Sequence, residues 1–409
     1  MSKLIFRSTL GRTLVTISLS TLALVARADA DSTMPSFEQC KQALAGKAMD
    51  AGVRQSTVEP VMAEVVHLDR VIELDRRQPE FTTTFADYLN RRVNDSRVEK
   101  GRQLLEKHRE LLARVTEATG VPAPYLAAFW GLETNYGSYF GKMQVPSALA
   151  TLACDARRSS FFTEQFIAAL RIIDEGAIPA DKMEGSWAGA MGHVQFMPTV
   201  FLQHAVDADG DGRRDLWNSL PDAMMSAGRF LQSMGWDGDY RWGREVRLPD
   251  NFDFSLADGS RRPLSDWRDM EITDAFGKPL AKEPIEAALI VPSGHQGPAF
   301  LVYRNFRVIM GWNRSEFYAI AVGHLADRIA GAGKLQNPPP EDHPALSRDQ
   351  VLTLQQALNA RGYASGEPDG ILGSNTRNAI RAYQQAEGLV ADGFPSSEVL
   401  SSLGVYTGT

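Results

Sequence analysis

The sequence predicts a mainly α protein with a small β insertion and a small three-helix domain at its C-terminal end. Three observations support this fold class. Apolar residues recur at helical spacing through residues 36–235, which indicates an α-rich body. Shorter strand-like stretches, separated by turn residues, occupy residues 240–305. Residues 334–345 are rich in proline, so we expect a stiff linker before residues 346–409.

Local patterns place the later elements in chain order. Arg244–Leu248 and Ala287–Val291 are short stretches typical of strands. Helix resumes after Ser315, the predicted N-cap of the helix Glu316–Ala330. The C-terminal domain carries two apolar helical faces, one with Val351, Leu354 and Leu358 and one with Ala379, Ile380 and Tyr383.

Composition narrows the class of protein. The chain has 409 residues, of which 44% are hydrophobic and 23% are charged. This is a globular composition with room for about two or three domains. The formal net charge of -7 gives no general attraction to phosphate backbones or anionic lipids, so we expect no nucleic-acid partner.

The first 30 residues are typical of a secretory signal peptide. Lys3, Arg7 and Arg12 precede an apolar run over Leu14–Val25, and small residues follow. No later stretch supplies about 20 consecutive apolar residues, and no cysteine lies at the cleavage region. We therefore expect a periplasmic monomer without a lipid anchor.

Cys40 and Cys154 are the two cysteines of the chain. In an exported protein a lone pair favours one disulfide, and the alternative is two separate buried thiols. A bridge would tie the N-terminal region to the middle of the chain.

Several enzyme classes lose their usual sequence support. The chain has no GxxxxGK(S/T), GxGxxG, GxSxG or HExxH motif, and no two histidines are spaced i, i+4. Nucleotide-binding proteins, α/β-hydrolases and zincins are therefore disfavoured.

Glu133 is the first candidate catalytic residue. It lies near the end of an apolar helical segment, Tyr125–Gly137, whose start is marked by Pro122 and Pro124. Burial and the negative end of the helix dipole both raise the pKa of a carboxyl group there. The group then keeps a proton near neutral pH, as a general acid requires. The alternative is a solvated surface glutamate, which the apolar run disfavours.

A glycine-rich segment, Gly185–Pro198, is the second candidate site. Its glycines permit a ligand to approach the backbone closely, and Ser186 and Gln195 offer neutral hydrogen bonds. Met191 and Phe196 add apolar contact, a mixture that suits a sugar. The segment alone is equally compatible with a simple turn between two helices.

An acidic loop, Asp207–Asp215, has the carboxylates at positions 1, 3, 5 and 9 and the glycine at position 6 of an EF-hand. Position 12, ordinarily a bidentate glutamate, is Asn218. Clustered carboxylates repel one another without a cation, so we expect structural Ca²⁺ and no organic cofactor. The alternative is an acidic surface turn.

Taken together, these segments resemble the lytic murein transglycosylase B family of peptidoglycan-cleaving enzymes. The shared motifs follow in order over residues 35–330, namely Glu133–Gly137, Ala150–Ala153 with Arg157 and Arg158, Ser186–Pro198, Asn305 with Phe306, and Trp312–Ser315. The resemblance implies a lysozyme-like α+β catalytic domain over residues 31–333. Pro368–Gly373 and Tyr383–Gln385 make the last domain similar to a peptidoglycan-binding domain.

The resemblance also implies roles for single residues. Glu133 is the expected general acid and base. The expected substrate-binding residues are Ser186, Met191, Gln195, Phe196, Arg157, Arg158, Tyr136 and Asn313. The expected calcium ligands are Asp207, Asp209, Asp211, Arg213 and Asp222. The two arginines are equally compatible with a solvated charged turn.

One position departs from the family pattern. Where the family usually has Tyr-Asn, this chain has Trp312-Asn313. We therefore expect a hydroxyl near the catalytic glutamate to be missing, and Trp312 to serve in stacking or packing.

The leading functional hypothesis is a lytic transglycosylase that cleaves the β-1,4 bond between N-acetylmuramic acid and N-acetylglucosamine and forms the 1,6-anhydro sugar. A hydrolytic muramidase is the first alternative, although glycoside hydrolases typically use two carboxylates and the segment around Glu133 offers one. A non-catalytic peptidoglycan-binding protein is the second. The expected partners are peptidoglycan glycan strands and other cell-wall enzymes.

Overall fold

The computed structural model describes residues 36–77 and 83–406, and the predicted signal peptide lies outside the described residues. Within this part of the chain, no helix combines the length and the apolar character needed to cross a membrane.

Helices carry most of the protein core. The helices before the C-terminal domain are α1 (Phe37–Asp50), α2 (Gln55–Glu64), α3 (Asp69–Arg77), α4 (Phe85–Arg92), α5 (Asp95–Lys107), α6 (Arg109–Thr119), α7 (Ala123–Thr134), α8 (Val145–Ala153), α9 (Ser159–Asp174), α10 (Pro198–His204), α11 (Leu220–Ser233), α12 (Leu264–Asp269), α13 (Arg304–Trp312) and α14 (Glu316–Ile329). The C-terminal domain contains α15 (Arg348–Ala360), α16 (Ser374–Ala386) and α17 (Ser397–Ser402).

Two small antiparallel sheets complete the fold. The first pairs β1 (Met143–Gln144) with β2 (Glu184–Gly185). The second contains β3 (Gly243–Arg247), β4 (Arg261–Pro263), β5 (Thr273–Asp274), β6 (Glu286–Ile290) and β7 (Ala299–Val302) in the order β4-β6-β7-β3-β5. Its own small core includes Leu264, Trp267 and Leu301, and the indole Nε1 of Trp267 donates to the carbonyl of Ala287 at 3.0 Å. The predicted fold class, helical with a small β part and a helical C-terminal domain, is confirmed.

The helix α7 is buried on nearly every side. It packs against α5, α6 and α14, and its buried residues include Phe129, Trp130 and Leu132. The helix stops abruptly because three successive residues adopt the left-handed conformation, with φ of 49° at Asn135, 61° at Tyr136 and 76° at Gly137. This termination leaves Glu133 in the last turn.

A disulfide joins Cys40 to Cys154, whose Cα atoms lie 5.9 Å apart. Cys40 belongs to α1, and Cys154 is the residue that follows α8. The bridge therefore holds the first described helix against the helical body across 114 residues of sequence.

The C-terminal domain repeats one polar arrangement. The amide Oε1 of Gln355 accepts from the backbone N–H of Gly370, while its Nε2 donates to Asp369. Gln384 makes the same pair of contacts with the next Asp-Gly turn, at residues 392 and 393. The domain is therefore built from two similar helix-and-turn units.

The C-terminal domain is docked on the β insertion. Asp392 is 4% exposed and accepts from both the backbone N–H and the Nδ1 of His295, at 2.9 and 2.7 Å. Arg381 donates to the carbonyl of Ala257 at 2.7 Å. The preceding proline-rich segment is also held, because the backbone N–H of Asn337 donates to Glu245 at 2.7 Å.

Candidate active site

Glu133 accepts two hydrogen bonds on one carboxyl oxygen. The indole Nε1 of Trp312, at the end of α13, donates to Oε1 at 3.0 Å. The phenol hydroxyl of Tyr318 donates to the same oxygen. Tyr318 is held by its position in the first turn of α14, where its backbone N–H donates to the capping hydroxyl of Ser315. Three helices thus meet at this carboxyl group.

The surroundings of Glu133 favour its protonated form. Burial raises the pKa of Glu133 to about 7, although the hydrogen bonds from Tyr318 and Trp312 and the charge of Arg92 act in the opposite direction. Burial and the neighbouring Glu133 also raise the pKa of Tyr318, so its hydroxyl remains a donor. No hydrogen bond to Oε2 comes from the residues that the structure describes. The proton of the neutral acid therefore lies on Oε2.

Aromatic rings fix the indole of Trp312. Its centroid lies 4.5 Å from that of Phe129, 5.4 Å from that of Phe196 and 5.3 Å from that of Phe230. Trp312 therefore packs as expected, but it also donates to Glu133, which the expectation of a packing role alone left out. The hydroxyl expected to be missing near Glu133 is supplied by Tyr318.

A cation from α4 lies beside the acid. The guanidinium of Arg92 is 5.5 Å from the ring centroid of Tyr88, and its Nη1 donates to the carbonyl of Leu132 at 3.3 Å. Its charge lowers the pKa of Glu133 and so favours the carboxylate once the proton has left.

The glycine-rich segment forms a tight loop tied to α7. Met191 and Phe196 exchange backbone hydrogen bonds of 2.9 and 3.0 Å. The hydroxyl of Thr134 donates to the carbonyl of His193 at 2.9 Å, and the indole of Trp130 donates to His193 Nδ1 at 3.0 Å. Burial lowers the pKa of His193 to about 4, so this ring is neutral and carries its proton on Nε2.

Two of the expected sugar-binding side chains remain accessible in this loop. Ser186 is half-buried, and its hydroxyl accepts from the backbone N–H of Ala190 at 3.0 Å. Gln195 has a φ of 50° and uses its amide nitrogen to hold the carbonyls of Phe140 and Gly192. Within the described chain its carbonyl oxygen accepts no hydrogen bond, so that oxygen is free for a ligand.

Three other expected binding residues are packed inside the protein. Met191 and Phe196 are 0% and 2% exposed, because their apolar side chains close the core beneath the loop. The hydroxyl of Tyr136 donates to the carbonyl of Arg97 at 2.8 Å, and its ring packs in the core. In this structure these side chains support the site from within the core, and their expected contact with substrate stays a prediction.

Arg157 and Arg158 have a partner within the protein. Both bind the carboxylate of Asp75, which is 3% exposed, and Arg157 Nε donates to it at 3.0 Å. A buried carboxylate is stable only when it is paired, so the two arginines stabilise the contact between α3 and the start of α9. Neither arginine contacts Glu133, and their side chains are still 42% and 38% exposed, so the expected contact with substrate stays a prediction.

Asn313 lies on the surface next to Trp312. Its Oδ1 accepts from the backbone N–H of Ser315 at 3.1 Å and so shapes the turn into α14. Its position beside Trp312 is compatible with the expected substrate contact.

The acidic loop brings three of the expected metal ligands together. Oxygen atoms of Asp207, Asp209 and Asp211 lie within 4.8 Å of one another on the surface, which fits the hard oxygen donors that Ca²⁺ prefers. Arg213 follows them, and its backbone N–H donates to Asp211 at 2.8 Å. Asp222 is fully buried and accepts from the backbone of Ala208 at 2.7 Å, so it supports the loop from below and lies outside the group of three carboxylates.

The sequence did not reveal three residues of the site, Tyr318, Arg92 and His193, nor the donor role of Trp312. Tyr318 and Trp312 lie 185 and 179 residues from Glu133, and no periodicity connects such distant positions. His193 had a detectable signal, because it lies within the glycine-rich segment already singled out.

Comparison with known proteins agrees with this geometry. The transglycosylase SLT domain family matches residues 36–327, and a peptidoglycan binding domain family matches residues 347–403. Membrane-bound lytic murein transglycosylase B of Escherichia coli is 28% identical over 297 residues, which cover 68% of this chain and 79% of that protein.

Solved structures show the same similarity. SltB3 from Pseudomonas aeruginosa, in complex with NAG-anhNAM-pentapeptide, is 45% identical with a TM-score of 0.87, covering 90% of this chain and 99% of that one. The Escherichia coli lytic transglycosylase Slt35, in complex with calcium, is 27% identical with a TM-score of 0.62, covering 71% of this chain and 92% of that one. The chain belongs to the transglycosylase SLT domain family of lytic transglycosylases.

Proposed function

We propose that this protein cleaves the β-1,4 bond between N-acetylmuramic acid and N-acetylglucosamine in peptidoglycan and releases 1,6-anhydro-N-acetylmuramic acid. The observation that carries the proposal is the state of Glu133. Its pKa of about 7 keeps a proton available, and both protein donors occupy Oε1. Oε2 is left to exchange that proton with a substrate.

In the first step Glu133 acts as an acid. Its Oε2 proton passes to the glycosidic oxygen as the bond from C1 of the muramyl sugar to that oxygen breaks. As that bond breaks, the carbonyl oxygen of the 2-acetamido group of the same sugar forms a bond to C1 and takes up the positive charge. We assign to Ser186 and Gln195 the task of holding that acetamido group, because both remain accessible in the glycine-rich loop.

In the second step Glu133 acts as a base. The carboxylate, stabilised by Trp312, Tyr318 and Arg92, takes the proton of the muramyl C6 hydroxyl. The C6 oxygen then forms its bond to C1, the acetamido oxygen leaves C1, and Glu133 is again neutral. Atoms and charge balance without a water molecule.

The absence of a partner acid supports this choice over hydrolysis. Of the described residues, those whose charges or hydrogen bonds act on Glu133 are Arg92, Trp312 and Tyr318, and none is a carboxylate. Hydrolytic glycosidases typically use a second carboxylate as base or nucleophile. A substrate hydroxyl therefore suits this site better than an activated water.

Mass spectrometry of digested sacculi tests the function. We expect muropeptides that end in the 1,6-anhydro sugar. Fragments that carry ordinary reducing ends instead would identify a hydrolase and overturn the proposal, and no release of fragments by the folded protein would leave only peptidoglycan binding.

The acidic loop is assigned one structural calcium ion. Asp207, Asp209 and Asp211 would supply carboxylate oxygens, and Arg213 would supply its backbone carbonyl, as position 7 of an EF-hand does. A related protein, Slt35, is known in complex with calcium. Bound Ca²⁺ would neutralise the three carboxylates and hold the loop in its folded form.

We further propose that residues 346–409 bind the cell wall and that residues 1–30 export the chain to the periplasm. The match of residues 347–403 to the peptidoglycan binding domain family supports the first assignment. The basic and apolar pattern of the first 30 residues supports the second.

A further inference from the structure

Three arginines gather where the β insertion meets α13. Arg261 belongs to the edge strand β4, and Arg304 and Arg307 belong to the first turn of α13. Side chains alternate along a strand, so Arg262 points to the other face of β4, where its guanidinium lies 5.6 Å from the ring centroid of Trp267. Arg261 pairs with Ala288 of β6, and Ala288 pairs with Val302 of β7, two residues before Arg304, so the strand register brings Arg261 to the start of α13. The charges of Arg307 and Arg304 accordingly add to burial in lowering the pKa of Arg261.

This placement works against stability. The first turn of a helix is the positive end of its dipole, so cations there are unfavourable. Arg304 and Arg307 are also like charges three residues apart, which destabilises a helix. Nearby carboxylates compensate for only part of this repulsion. Glu286 offsets some of the repulsion on Arg261, and Asp237 lies 3.7 Å from Arg304.

Two of the three arginines make no stabilising polar contact within the described part of the protein. The guanidinium groups of Arg261 and Arg307 make no hydrogen bond and no ion pair with any part of residues 36–77 and 83–406. Other arginines of the protein are used differently, for example Arg328, which donates to Asp95 at 2.8 Å. Three cations are therefore kept close together, on a chain of net charge -7, without a matching set of carboxylates.

The position of the cluster suggests its ligand. α13 leads from this cluster to Trp312, which donates to Glu133. With a rise of about 1.5 Å per residue, Arg307 and Arg304 lie roughly 7.5 and 12 Å along the helix from Trp312. An extended peptide of five residues spans about 17 Å, which is long enough to run from a sugar at Glu133 along α13 to Arg307 and Arg304.

We propose that Arg261, Arg304 and Arg307 bind the carboxylates of the stem peptide carried by the muramyl sugar in the active site. The guanidinium group suits this ligand, because it pairs with a carboxylate through two parallel hydrogen bonds. The related SltB3 is known in complex with a ligand that carries a pentapeptide, which ends in a carboxylate. The inference rests on the proposed function and gives the enzyme a preference for peptide-bearing glycan.

The test compares two substrates. One is glycan with uncross-linked stem peptides, and the other is the same glycan stripped of its peptides by an amidase. The measured quantity is the ratio of kcat/KM on the first to kcat/KM on the second. We expect Arg261→Gln/Arg307→Gln to lower this ratio about tenfold, mainly through KM on the peptide-bearing glycan, and to weaken its dependence on salt. Arg247→Gln, an exposed arginine on β3 three strands from β4, is the matched control and should keep the wild-type ratio.

Several results would overturn the proposal. One is an unchanged ratio in the double variant, and another is an equal fall in the control. A lower melting temperature in the double variant would assign the arginines a structural role, since relief of repulsion should keep or raise it. Loss of binding to phosphatidylglycerol vesicles with an unchanged ratio would assign the cluster to a membrane. Failure of the wild-type enzyme to release anhydro products from either glycan would refute the proposed function instead, so the two failures are distinguishable.

Discussion

Tyr318 and Trp312 share one acceptor, the Oε1 atom of Glu133. This arrangement stabilises the carboxylate and at the same time directs the reactive proton to the other oxygen. Burial opposes it and keeps the pKa of the group at about 7. The acid is therefore balanced between its two protonation states at neutral pH, as a residue that both gives and takes a proton requires.

Glu133→Gln should abolish most of the activity. The amide oxygen can still accept from Trp312 and Tyr318, but the side chain can neither donate nor accept the catalytic proton. We expect kcat to fall by at least about 10²- to 10⁴-fold with KM little changed. Release of anhydro muropeptides from sacculi measures it, and near-normal turnover by a folded variant would remove Glu133 from the mechanism.

The same substitution should stabilise the protein at alkaline pH. The pKa of Glu133 rises from an ordinary value of 4.5 to about 7 on folding, so the folded state loses stability as pH increases from 4.5 to 7. Glu133→Gln removes this penalty, which is about 3 kcal/mol at full ionisation. Urea unfolding at pH 8 should show the gain, and unfolding at pH 4 should not. An equal gain at both values would assign the effect to packing.

Trp312→Phe should move the pH profile. Loss of the Nε1 donor removes a contact that lowers the pKa of Glu133, so the pKa rises. In the wild type, kcat/KM should fall as pH increases through about 7. In the variant the midpoint of this fall should lie about one pH unit higher. Tyr318→Phe should act in the same direction.

Phe230→Leu is the control for the Trp312 variant, because it loosens the same aromatic cluster without touching the hydrogen bond. This variant should leave the pH midpoint of the fall in kcat/KM unchanged. A shift as large as that of Trp312→Phe would mean that packing, and not the indole N–H, sets the pKa.

Calcium should raise the melting temperature. A hundredfold excess of Ca²⁺ over its Kd stabilises the folded state by about 2.7 kcal/mol if it binds only there. Asp211→Asn should lose most of this rise, whereas Asp250→Asn, at an exposed carboxylate outside the loop, should keep it. An identical melting temperature in Ca²⁺ and in chelator would show that the loop is an ordinary turn.

Removal of the disulfide should destabilise the protein strongly. The bridge closes 114 residues of sequence, and loss of such a constraint typically costs about 2–5 kcal/mol. Cys40→Ala/Cys154→Ala should therefore unfold at a lower urea concentration, and reduction of the wild type should lower its midpoint by a similar amount. Coincident unfolding curves for oxidised and reduced wild type would contradict this.

The sequence was informative where chemistry follows from local pattern. The apolar run before Glu133 predicted a buried acid, because a single helix supplies most of that environment. Pairings between distant residues were not predictable in this way. Arg157 and Arg158 were expected to bind substrate or to form a solvated turn, and their pairing with Asp75, more than 80 residues earlier, was not foreseen. The sequence also did not foresee that Asp222 is buried and accepts from backbone N–H groups of the loop.

The contact of Asp392 with His295 changes what the C-terminal domain contributes to cutting the wall. A domain on a flexible linker lets its enzyme cleave any bond within the length of that linker. A domain docked on the β insertion instead fixes the distance between the proposed wall-binding surface and the scissile bond, because the docking contact sets the relative position of the two sites. If residues 346–409 bind the wall as proposed, their binding point determines which bonds lie within reach of Glu133.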